Sequence, residues 1–220
     1  MIAAWRNPAG GEEYAFAFDR GRTQRLLVLP ALFDEANKTR HLMTQVMRRL
    51  DEAGVDSFLP DLPGCNESLA SLQEQTLESW REASHAAARY FRANRVLTIR
   101  AGALLAPSSL PGWRYAPTGG ANALRTLLRA RTLSAREAGR SESTESLLEQ
   151  GLEEGLELAG YRLGPAMIRQ LHAAGLPEGD ALADITQDMI GGSGLWMRAE
   201  PDFDAAQADA LAAIVATGME

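Results

Sequence analysis

The most consequential chemistry in this chain is offered by one corner, Thr98-Ile99-Arg100-Ala101-Gly102. A short apolar run of β type, Val96 to Ile99, stops at a single charged residue. Small residues follow, and then an apolar run of helical character, Ala103-Leu104-Leu105-Ala106. A tight strand-to-helix turn of this kind lifts one side chain above the end of a sheet, in front of free backbone N–H groups. A serine there would be an attacking oxygen. Arg100 cannot attack, because a guanidinium stays protonated at any accessible pH. Two roles are open to it. It can bind a carboxylate or phosphate bidentately, helped by the helix N-terminus. Alternatively it is a buried structural arginine, which needs an internal acid such as Asp34 or Glu35.

Two further stretches could supply polar groups to the same edge. In Asp34-Glu35-x-Asn37-Lys38-x-Arg40, Asn37 and Lys38 could donate to an anion held by Arg100 and the Ala101 corner. The plainer alternative is a polar loop leading into a helix, capped by Asn37. Asp61 to Ser68 is rich in turn-forming residues, and Asp61 and Ser68 most simply satisfy loop amides. Cys65 is an alternative nucleophile only if a neighbouring base lowers its pKa. Ser108 and Ser109, with His85 or His172 as base, are more remote candidates. Arg125, Arg129, Arg131 and Arg136 form a basic stripe that reads as a solvated face or a partner contact.

The elements that must position these residues alternate. Glu13 to Phe18 reads as an edge strand, and Leu26-Leu27-Val28-Leu29 as a strand buried on both faces. Ala31 to Arg40 reads as a charged loop. Leu42, Val46, Met47 and Leu50 then recur at helical spacing up to Gly54. Val55 to Leu59 is a strand, and Thr76 to Arg92 a helix leading to the Val96 strand. This βαβαβ order implies a parallel sheet with right-handed crossovers. Beyond the corner, the pattern predicts a strand at Trp113 to Ala116, helices at Ala121 to Leu133 and Ser146 to Glu157, and a hairpin at Leu158 to Gly164. A helix starting at Pro165 follows, then a polar, glycine-rich stretch from Gly175 to Gly194. A last strand at Leu195 to Ala199 and a last helix at Phe203 to Ala216 complete the chain. We read residues 1–220 as one domain, with a small helical insertion at about 118–157.

The totals narrow the function classes. A chain of 220 residues with 45% hydrophobic and 23% charged residues is long enough to bury a core. A net charge of −7 argues against nucleic acid as a partner. One cysteine excludes an internal disulfide, and three histidines at wide spacing suggest no metal site. Nothing calls for a cofactor. No run reaches a membrane span, and no signal peptide is evident, so a cytoplasmic location is expected. Oligomeric state is not readable.

The corner resembles the nucleophile elbow of α/β-hydrolases, G-x-S-x-G, with Thr98 at the first glycine and Arg100 at the serine. A longer resemblance is carried by Phe33-x-Glu35-x-Asn37-Lys38-x-Arg40, Asp61-Leu62-x-Gly64-Cys65-x-x-Ser68 and Arg100 to Ala106. Ala159-Gly160-Tyr161-x-Leu163-x-Pro165-Ala166 and the Trp196 to Glu200 segment continue it. In this order, from about Leu26 onward, the chain resembles the second type of hydrolase-like protein that accompanies exosortase A in bacterial PEP-CTERM sorting and exopolysaccharide systems. The resemblance implies an α/β-hydrolase-like fold: a mostly parallel sheet with helices on both faces, shortened toward the C-terminus. It places the Asp34–Arg40 segment where hydrolases keep an oxyanion-hole loop. No histidine follows His172, so serine and terminal histidine of a triad are both missing. The expectation is therefore a hydrolase-fold protein without the usual triad. It would bind a small anionic, acyl- or glycan-linked ligand, or a partner, through Arg100, Ala101, Asn37, Lys38, Glu35, Asp61 and Cys65. The alternative is an ester or acyl hydrolase with an unidentified nucleophile.

Overall fold

The computed structural model describes residues 1–179 and 181–219. Among them, seven strands form one sheet in the order β1-β2-β4-β3-β5-β6-β9. These are β1 (Ile2–Arg6), β2 (Glu12–Phe18), β3 (Arg25–Leu29), β4 (Asp56–Pro60), β5 (Arg95–Ile99), β6 (Gly112–Tyr115) and β9 (Leu182–Ile185). The first two are antiparallel to their neighbours, whereas β4, β3, β5, β6 and β9 run parallel. A separate hairpin joins β7 (Leu156–Leu158) to β8 (Tyr161–Leu163).

The continuous apolar strands are explained by helices on both faces. Leu27, Leu29, Phe58 and Val96 pack in one core with residues of α2 (Leu77–Tyr90), α3 (Gly120–Glu137), α4 (Thr144–Glu154) and α5 (Pro165–Ala173). Leu26, Val28, Leu97 and Ile99 point the other way. They pack with α1 (Asp34–Glu52) and α7 (Ala205–Thr217), and with Ile190 at the end of α6 (Gln187–Ile190). No helix among the described residues is long and apolar enough to cross a membrane.

The amino edge of the sheet is closed by ions. Asp56, fully buried, accepts from the backbone N–H groups of Arg20 (3.0 Å) and Arg22 (2.8 Å) and from Arg25 Nη1 (3.0 Å). That network fixes the starts of β3 and β4. Parallel sheets ordinarily bind ligands at the opposite, carboxyl edge.

Four sequence expectations are corrected. Asp34 to Arg40 is not a loop but the first two turns of α1, which starts directly after a sharp bend at Phe33 (φ 57°). Asp34 and Glu35 in that first turn suit the positive end of the helix dipole. Glu12–Phe18 is not the edge, since β1 pairs outside it. Leu195-Trp196-Met197 is a single 3-10 turn rather than a strand. The last strand, β9, lies instead in the glycine-rich stretch that carried no strand pattern.

Candidate functional site

The elbow is built by backbone. β5 ends in extended conformation at Ile99 (φ −116°, ψ 124°), and Arg100 then adopts φ 53°. A left-handed backbone of this kind in a non-glycine residue stores strain on the order of 1–3 kcal/mol. The chain continues as one 3-10 helix, Arg100–Leu105, shorter than the helix the sequence suggests. Gly102 is required: a Cβ there would overlap the Pro30 carbonyl oxygen at the end of β3. Ala101 is buried behind the turn.

The Arg100 side chain is held on three sides. Nε donates to Glu35 Oε2 (3.1 Å) and Nη2 to Glu35 Oε1 (3.3 Å), a bidentate pair from the first turn of α1. Nη1 donates to the Ala116 carbonyl (2.8 Å), just past β6. The guanidinium lies over the Trp196 ring, 4.4 Å from its centroid. Arg100 and Glu35 are only 18% and 14% exposed, so the pair is shielded from most solvent. Trp196 in turn meets Tyr115, whose hydroxyl donates to Gln187 (2.6 Å) and is pushed up to about 12, chiefly by burial.

A cavity of about 130 Å³ opens one strand away, above the ends of β3 and β4. Its walls are mostly apolar: Leu32, Phe33, Met43, Leu62, Trp80 and Tyr161 among them. The three rings are in contact, with Phe33 5.6 Å from Trp80 and 5.5 Å from Tyr161 between centroids. Asn37, Arg40, Asp61, Cys65 and Asn66 bring the polar groups. Asn37 Nδ2 donates to the Tyr161 hydroxyl (3.1 Å), and Asn66 Nδ2 to Asp61 Oδ1 (2.6 Å). Burial holds the Asp61 carboxyl above its ordinary range, against the Asn66 bond and the charge of Arg40. Burial likewise pushes the Cys65 thiol up to about 12, with Asp61 and Glu13 adding to it.

No family model matches this sequence, and no curated protein matches it. Solved structures do. The chain matches over its whole length the bottromycin epimerase BotH in complex with bottromycin A2, at 15% identity, with a TM-score of 0.56 and 99% of that chain covered. A hydrolase candidate from Agrobacterium vitis matches it at 12% identity and TM-score 0.54, over 100% of this chain and 98% of the other. Mouse α/β hydrolase domain-containing protein 10 matches at 13% identity and TM-score 0.51, over 78% and 69%. The chain has the α/β-hydrolase fold. It spans 56% of the length of two further structures of this kind, GrgF from Penicillium and a proline iminopeptidase-related protein from Thermus thermophilus.

In an α/β-hydrolase fold the triad members follow in the order serine, acid, histidine, the first on the elbow and the others on later loops. In this chain the elbow residue is Arg100. Its side chain touches the segment after β6 at Ala116 and the segment after β9 at Trp196. One cation thus bridges three stretches of the carboxyl edge.

The residues singled out from sequence divide into groups. Arg100 and Glu35 meet at the elbow, whereas Asn37, Asp61 and Cys65 meet at the cavity, which Arg100 does not line. Lys38 pairs with Asp34 (2.7 Å) one turn back on α1. Ser108 and Ser109 are exposed in the loop leading into β6, at the other edge of the sheet. His41 stacks on Phe203, and Arg131 pairs with Glu142 (2.8 Å). Sequence reasoning missed Trp196 as the lid on Arg100, and Phe33, Trp80 and Tyr161 as a cavity wall. Only the bulk and isolation of these aromatics hinted at it.

Proposed function

We propose that this chain is a non-hydrolytic α/β-hydrolase-fold protein that binds a small ligand in the cavity between β3 and β4. In this reading its former catalytic corner is a structural clamp. The carrying observation is the pairing of Arg100 with Glu35, Ala116 and Trp196 where an attacking oxygen would stand. An internal carboxylate already occupies the guanidinium. This favours the clamp over an anion pocket at Arg100, since an incoming anion would have to displace Glu35. Cys65 does not replace the serine: a thiol held near 12 is protonated at neutral pH, and no histidine is among the cavity's lining residues. The epimerase among the similar structures supports the broader point that this fold carries non-hydrolytic activities. The resemblance to exosortase A-associated proteins adds a setting to the proposal, a cytoplasmic role beside an exopolysaccharide and protein-sorting system.

Two measurements test this. A panel of short acyl esters, with serine- and cysteine-directed covalent probes, is expected to give neither turnover nor a labelled residue. A labelled residue whose substitution abolishes turnover would overturn the proposal. For the cavity, Ala36→Phe fills space at its wall. It is expected to remove the response of the Trp80 indole N–H resonance to small apolar probes such as benzyl alcohol.

A further inference from the structure

The cavity has a sign as well as a shape. Asp61 lines it directly. Glu67 and Glu13 lie near enough to act on Asp61 through space, and both push in the same direction as burial. Glu13 is only 4% exposed. Its Oε1 accepts from Asn7 Nδ2 (3.2 Å) and Ser68 Oγ (3.0 Å), while its Oε2 is buried without a partner. Against these three carboxylates stands one guanidinium, Arg40, exposed at the rim and making no ion pair among the described residues. Carboxylates therefore outnumber cations around Asp61, and burial adds to the cost of ionising it.

Three aromatic residues line the same cavity. Phe33, Trp80 and Tyr161 present faces and edges within one cluster, and such rings attract a cation through their quadrupoles. An apolar cavity of roughly 150 Å³ accommodates a benzene-sized group, and this one is about 130 Å³. We infer that the cavity takes a compact organic cation, a small alkyl- or aryl-ammonium group, whose charge lies between the Asp61 carboxylate and the ring cluster. This names the ligand class for the cavity reading above and rests on it. It also separates the cavity from the elbow, where the Arg100 charge is already matched by Glu35.

The test uses the whole chain and three probes of one shape. These are choline, its neutral isostere 3,3-dimethyl-1-butanol, and the anionic 3,3-dimethylbutanoate. Each is titrated by calorimetry and by the Trp80 indole resonance, whose N–H donates to the Pro63 carbonyl (2.9 Å) beside the cavity. Choline is expected to bind about ten-fold tighter than the neutral probe, and the anion not at all. Asp61→Asn should bring choline down to the neutral probe's affinity and leave that probe unchanged. Exposed Glu67→Gln, which carries no folding risk, should lower the choline preference by a smaller factor, about two-fold. If the neutral probe binds as tightly as choline, or Asp61→Asn leaves choline unaffected, the ligand class is wrong and the cavity stands. If none of the three moves the Trp80 resonance, the cavity reading itself fails and this inference with it.

Discussion

Two corners sit side by side at the carboxyl edge of the sheet, and they treat charge in opposite ways. At the elbow a cation is placed in a strained turn and then satisfied on three sides by Glu35, the Ala116 carbonyl and Trp196. One strand over, Asp61 is half-buried in an apolar cavity with one amide bond and no ion pair among the described residues. α1 serves both: its first two turns give Glu35 to the elbow, and Asn37 and Arg40 to the cavity. A fully partnered charge stabilises and has nothing left to offer a ligand. An under-partnered charge in a cavity costs stability and keeps its capacity to bind. Under the proposed function, the difference between the corners is a difference between architecture and binding.

The sharpest way to break the closed corner is through its backbone. Gly102→Ala puts a methyl into the Pro30 carbonyl, where neither β3 nor the elbow can retreat without breaking strand pairing. We expect a loss of about 3 kcal/mol in chemical denaturation. If the variant is as stable as the parent, β3 and the elbow do not touch as described.

Arg100→Ala comes next. It leaves Glu35 facing an empty, shielded space and frees the Ala116 carbonyl. For a pair that is mostly but not wholly buried, about 2–3 kcal/mol is expected. Arg100→Gly removes the same contacts but relieves the left-handed backbone, so it should be about 1 kcal/mol less harmful than Arg100→Ala. A double-mutant cycle with Glu35→Ala should return a coupling on the order of 1–2 kcal/mol. A coupling near zero would mean that the guanidinium is free, and would restore the anion-pocket reading. Neither variant should lower choline affinity, because Arg100 does not line the cavity.

The closed corner was far more legible in the sequence than the open one. Leu26 to Leu29, the Val96 run and the small residues after Arg100 are contiguous, so a strand, an elbow and a charged residue on it could be read from one stretch. The partner acid was narrowed to Asp34 or Glu35 under the structural alternative, since a buried arginine must have one. The cavity is assembled from Phe33, Asp61, Trp80 and Tyr161, which share a wall only after four segments are brought together, and no local pattern encodes that. β9 was missed because only Ile185 of its four residues is buried, which leaves no alternation to detect. Leu195-Trp196-Met197 looked like a strand because three large apolar residues in a row satisfy that pattern. One is there to cover a guanidinium, and Met197 is exposed. The helical start of α1 was signalled by Asp34 and Glu35, but the density of charge up to Arg40 argued for a loop. What decided it was the bend at Phe33, a conformation with no sequence marker.

The smallest expected effect concerns the open corner and has the opposite sign. Asp61 has a folded-state pKa above its ordinary 3.8, mainly through burial. The folded protein therefore holds that proton more tightly than the unfolded chain does. Ionising Asp61 costs the fold stability: the penalty is absent below pH 3.8, grows as pH rises through the raised pKa, and is constant above it. Asp61→Asn keeps the bond from Asn66 in shape but removes the buried charge. It should be slightly more stable than the parent at pH 7 and indistinguishable from it at low pH, a gap read from paired denaturation curves. The same substitution is expected to remove the choline preference. A residue whose loss raises stability and lowers binding is one retained for its ligand, whereas Arg100, whose loss lowers stability and leaves binding intact, is one retained for the fold. Should Asp61→Asn destabilise the protein at neutral pH, the carboxylate is structural too, and the contrast between the two corners disappears.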